Sequence, residues 1–128
     1  MKAPLAAVLF VFLGLSHSFG LYQSVDPDQL QIDQLAKDGI DMSKPQRTIF
    51  TLHFSDVDGA SKGCVSVYGK KFDVESDRPE KAGEKWTCTA KKTLVPELKV
   101  LGKIRRDFDA IAAANRGSYD GWKIEPGR

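Results

Sequence analysis

Histidine and cysteine are scarce in this sequence, at two residues each among 128. His17 lies near the N-terminus, which leaves His53 alone in the body of the chain. It falls on the outer face of a strand, so neither a histidine-based triad nor a multi-histidine metal site is expected. Cys64 and Cys88 with one histidine do not make a tetrahedral zinc set either. Charge of one sign is also lacking: 19 Lys and Arg stand against 17 Asp and Glu. Bases and acids are interleaved, so no basic stripe points to nucleic acid or to a membrane surface. The nearest approach, 103-KIRR-106, reads as the solvated face of a helix. The segment 59-GASKG-63 has a Gly and a Lys but not the spacing of a phosphate loop. Paired acids at 56-DVD-58 and 107-DFD-109 read as helix-end charges. No catalytic residue, metal or cofactor is expected from this inventory.

Long apolar runs are missing except at the start. Lys2 is followed by an uncharged apolar stretch, Ala3 to Leu15, and then by small residues at Ser16, Ser18 and Gly20. This is the pattern of an export signal, expected over 1–20, with an uncleaved anchor as the alternative. Asp26, Asp28 and Asp33 follow it, which favours a body outside the cytosol. Residues 21–27 read as a linker and 28–126 as one domain. Without the leader the chain keeps 18 basic and 17 acidic residues. In a periplasmic or secreted setting, Cys64 and Cys88 suggest one disulfide, with buried free thiols as the alternative.

The pattern along the body alternates between two periods. Asp26, Pro27 and Gly39 bracket a first helix. Residues 47–54 alternate as a half-buried strand, with Phe50, Leu52 and Phe54 on one face. A glycine-weakened helix follows over 56–70, with Cys64 on its apolar side. Short strands are expected at 71–76 and 85–92, the second with Trp86, Cys88 and Ala90 together. Pro96 opens the most periodic helix, and Gly117 closes it. The order is β-α-β-β-α-β after a leading helix. That is an α+β, ferredoxin-like arrangement: four antiparallel strands with two helices on one face. RNA-recognition domains share this topology but stack bases on outward aromatics. Here the outward positions are Ile49, Thr51, His53, Thr87, Thr89 and Lys91, so no nucleic acid partner is expected.

The stretch 117-GSYDGW-122 contains a dipeptide favoured in hairpin turns. Helical periodicity upstream leaves no strand for a hairpin, so Asp120-Gly121 belongs inside the last strand, as a bulge. A bulge would turn Tyr119 and Trp122 to the same side. They then either anchor a partner or pack inward, Trp122 in the core with Ile124 and Tyr119 near the edge.

With 38-DGIDMSKP-45, a mid-chain Trp strand, a long helix and 119-YDGW-122, the chain resembles the regulator of ribonuclease activity B family, the RraB-like ribonuclease E inhibitor domain. The resemblance covers about Leu30 to Pro126. It implies a ferredoxin-like domain that acts by binding another protein, without catalysis of its own. Its motifs make Lys44, Pro45, Tyr119, Asp120, Gly121 and Trp122 the candidate binding residues. Joined to the leader, it implies an exported protein-binding regulator or adaptor whose partner is an unidentified protein. Two alternatives stand beside it. One is a small-ligand-binding domain of the cell envelope, with a closed apolar pocket between the sheet and the 96–115 helix. The other is a cytosolic ribonuclease inhibitor, if the leader is not functional.

Overall fold

The computed structural model describes residues 25–126. The expected leader at 1–20 and most of the linker lie outside the described residues. Seven elements follow in order: α1 (Pro27–Lys37), β1 (Gln46–Phe54), α2 (Val57–Tyr68), β2 (Asp73–Asp77), β3 (Trp86–Leu94), α3 (Leu98–Ala114) and β4 (Gly117–Ile124). The strands form one sheet in the order β2-β3-β1-β4, with every neighbouring pair antiparallel. The α+β class, the four-stranded antiparallel sheet and the leading helix are as the sequence implies.

Local chemistry sets the element ends. Asp26 accepts the Asp28 N–H at 2.8 Å, and Pro27 fills the first helical position of α1. At its other end Ile40 N–H donates to the Leu35 carbonyl and Gly39 N–H to that of Ala36, a Schellman turn. Asp56 caps α2 by accepting the Gly59 N–H at 2.8 Å. Gly63, expected to weaken α2, sits where any Cβ would overlap the Phe54 ring. Its cost in helix propensity, about 1 kcal/mol relative to Ala, is offset by that close approach.

Two boundaries differ from expectation. Pro96 lies buried ahead of the cap residue Glu97, so α3 begins at Leu98. Gly117 does not close α3 either. Arg116 makes the left-handed turn, with φ 57°, and Gly117 opens β4. The physical reasons are separate. Arg116 is held by two bonds to the Asp56 carboxylate, at 2.9 and 3.0 Å. Gly117 is needed for space, since a Cβ there would collide with the His53 carbonyl and the Phe54 ring.

One sheet face carries the core. Phe50, Leu52 and Phe54 of β1, Cys88 and Ala90 of β3, and Trp122 of β4 pack with Ala60, Cys64 and Val67 of α2. Leu101, Ile104, Phe108 and Ala112 of α3 complete it. Phe108 is the hub, with ring centres 5.8 Å from Phe50, 5.0 Å from Phe72 and 5.7 Å from Tyr119. Cys64 and Cys88 form a disulfide through this core, their Cα atoms 5.9 Å apart.

On the other face Ile49, Thr51 and His53 register with Lys91, Thr89 and Thr87. Ile49 is buried there at 8 % exposure. It lies in register between Lys91 and Lys123, whose apolar stems can cover it. No helix among the described residues is long and apolar enough to cross a membrane.

Candidate functional site

The bulge in β4 organises the stretch the sequence singled out. Phe50 pairs with Trp122 and Leu52 with Tyr119, so Thr51 alone stands opposite Asp120 and Gly121. Gly121 has φ 102°, and a Cβ built on it would meet nothing within 4 Å. The requirement at this position is therefore backbone conformation, with space to spare. The extra residue turns Tyr119 and Trp122 to the same inner face. Asp120 points outward, where its carboxylate pairs with His53 Nδ1 and accepts from Ser118 Oγ at 3.3 Å.

Trp122 is 6 % exposed, and its indole Nε1 donates to Asp28 Oδ1 at 3.0 Å. Asp28 is 1 % exposed and receives Arg105 in a fork: Nε to Oδ2 at 3.0 Å and Nη2 to Oδ1 at 2.7 Å. The Arg105 guanidinium also lies over the Tyr119 ring, 5.3 Å from its centre. Gln31 Nε2 closes the knot by donating to the Trp122 carbonyl at 2.6 Å. The first turns of α1, the middle of α3 and the bulge of β4 thus meet at one buried carboxylate.

The electrostatics follow from this packing. Burial alone would push the Asp28 carboxyl up. Hydrogen bonds from Arg105 and Trp122, together with the guanidinium charge, outweigh burial and hold it below its usual value. Arg105 is raised, chiefly by its hydrogen bonds to Asp28. Burial pushes the Tyr119 hydroxyl up. Three fixed donors hold this carboxylate, two on Oδ1 and one on Oδ2, and it is closed to solvent, so it is not presented to a substrate. The knot holds structure together.

The six candidate binding residues do not form one site. Gly121 and Trp122 serve the bulge and the core. Tyr119 is half-buried under Arg105, and Asp120 is exposed on the opposite face. Lys44 and Pro45 are exposed in the loop before β1, with Lys44 Nζ 3.9 Å from Asp41. Pro45 precedes by five residues the Phe50 that pairs with Trp122. At about 3.3 Å per residue, that is roughly 16 Å along the strand.

Two members of the knot escape a reading of sequence. Asp28 looks like any acid in a first helical turn, and Arg105 looks like part of the solvated 103-KIRR-106 face. The one available signal is spacing: Arg105 stands four residues after Leu101 and three before Phe108, on an otherwise apolar stripe.

A second feature lies across α3. A half-open cleft of about 500 Å³ separates α3 from the end of α2 and from β3, and Phe72 and Phe108 are among its walls. The small-ligand alternative expects a closed pocket at this place; the one present is open. Among the described residues no group of three or more His, Cys, Asp or Glu is placed to hold a metal ion.

Comparison with curated proteins returns no match. The family model described as Regulator of ribonuclease activity B matches residues 26–124, well over half of the chain. The span begins at the Asp26 cap of α1 and ends with β4, so it takes in every element and both sides of the Asp28 knot. The chain belongs to the regulator of ribonuclease activity B family.

Proposed function

We propose that this protein is an exported, non-catalytic regulator that works by binding another protein. The observation that carries this reading is the family match over the whole folded body, because a regulator of ribonuclease activity acts on an enzyme. Export rests on the leader pattern at 1–20. The bond between Cys64 and Cys88 supports it, since disulfides persist where the surroundings are oxidising. In the periplasm or outside the cell, the partner is a protein of that compartment, in place of cytosolic ribonuclease E. Of the candidate binding residues, Lys44, Pro45 and Asp120 are exposed and free to touch it.

The decisive experiment is fractionation of cells with intact-mass measurement of the N-terminus. A mature chain starting at Phe19 or Leu21 in the extracytoplasmic fraction is expected. A chain starting at Met1 in the cytosol would overturn export and restore a cytosolic ribonuclease as partner. Affinity capture from the extracytoplasmic fraction should then return one reproducible protein at varied salt. Recovering none would remove the adaptor role.

A further inference from the structure

The cleft beside α3 has an apolar floor and a cationic rim. Phe72, Leu94, Val100, Ile104 and Phe108 form the floor. Lys70, Lys71, Lys92 and Lys103 stand around it, with Asp107 as the one acid. Asp107 is already engaged, 2.9 Å from Lys103 and 3.8 Å from Lys70. Lys92 lies over the Phe72 ring, 4.8 Å from its centre, and neither it nor Lys71 has a carboxylate partner among the described residues. Lys71 holds φ 73°, a left-handed backbone that costs a residue with a side chain about 1 kcal/mol or more. Its N–H donates to the Tyr68 carbonyl, so this left-handed turn closes α2 as Arg116 closes α3, at the mouth of the cleft.

The geometry points to a binding site for a free anionic amphiphile, an alkyl or aryl chain with a terminal carboxylate. The volume of about 500 Å³ falls within the roughly 300–1,000 Å³ of small-ligand sites. An apolar body covers Leu94 and Val100, the half-exposed residues of the floor, and the edge of Ile104, and the head group meets Lys71 and Lys92 at the mouth. A polypeptide fits less well. Its backbone N–H groups need acceptors, and the walls offer one acidic side chain, Asp107, against four lysines. Flexible lysines in place of an arginine fork also suit a single head group that need not be held in one plane. This site is independent of the protein-binding role proposed above and does not rest on export.

The test is a titration of the isotope-labelled protein, with its native N-terminus and intact disulfide, followed by amide chemical shifts. Dodecanoate, kept below its micelle concentration, should give saturable shifts at Leu94, Val100 and Ile104. Dodecyltrimethylammonium, with the same chain and the opposite charge, should bind about tenfold more weakly or worse. The double variant Lys71→Glu, Lys92→Glu should weaken dodecanoate by about tenfold or more. Should that variant unfold, Lys71→Gln with Lys92→Gln should weaken it in the same direction.

Absence of saturable shifts at those three residues would overturn the site, and so would equal affinity for the two chains. Tighter binding of the peptide Glu-Glu-Phe-Glu-Glu would make the cleft a protein-docking surface instead. Co-sedimentation with phosphatidylglycerol vesicles that dodecanoate fails to compete would make it a membrane contact. Either result refutes the proposal.

Discussion

The two flanks of α3 are built on opposite principles. Toward β4, Arg105 reaches a fully buried carboxylate, and α1 lies across the junction. Among the described residues no buried side-chain nitrogen or oxygen is left unsatisfied. Toward β3, Ile104 and Phe108 form the floor of an open cleft whose polar groups stand at its rim. Ile104 and Arg105 are adjacent, yet about 100° of helical turn separates the two environments. The most recognisable stretch of the sequence, 119-YDGW-122, belongs to the closed flank. Its Tyr119 and Trp122 pack α1 and α3 onto the sheet while Asp120 faces outward beside His53, which moves the search for function to the exposed surfaces.

The comparison can be broken most strongly at Arg105. Arg105→Met strands the Asp28 charge in the interior, and thermal or denaturant unfolding should show a loss of about 3–5 kcal/mol. The same substitution at Lys103, whose side chain is mostly exposed on the cleft side, should change stability by about 0.5 kcal/mol or less. Similar losses at both positions would erase the distinction between flanks. Reduction of the Cys64–Cys88 bond, which closes a 24-residue separation, should cost about 2–4 kcal/mol by the same measurement. Gly121→Val should cost about 1–3 kcal/mol, because the strain at φ 102° is conformational. Gly121→Asn should cost less, since asparagine tolerates positive φ better.

The smallest effect is a dependence on acid. The Asp28 carboxyl is lower in the folded chain than in the unfolded one. Its contribution is therefore complete above the unfolded carboxylate value of about 3.9 and is lost as pH falls through the folded one. A stability profile measured below about pH 4 should flatten on Asp28→Asn relative to the parent. An unchanged slope would assign the acid limb to other carboxylates.

Much of this architecture is legible in the sequence because short-range chemistry writes it. Asp26, Pro27 and Gly39 mark α1 by capping alone, and the alternation at 49–54 gives β1 its inner face. The bulge is legible for a subtler reason: a turn dipeptide with helix upstream has nowhere to sit except inside a strand. The knot is not legible. A first-turn aspartate has two uses, dipole complement and buried partner, and only its tertiary neighbour distinguishes them. Arg105 is hidden in the same way among the lysines and arginines of its helix. At the end of α3, glycine's reputation as a helix terminator points to Gly117, while Arg116 makes the turn and Gly117 answers a collision with β1 that only the sheet register reveals.

The claim that the β4 motif and α1 form one unit through Asp28 is tested most directly by a double-mutant cycle. Asp28→Ala, Trp122→Phe and the pair are compared by denaturant unfolding; phenylalanine keeps an aromatic ring and removes the indole donor. A coupling energy of about 1 kcal/mol or more is predicted. Additive losses, within about 0.3 kcal/mol of the sum of the single variants, would contradict it.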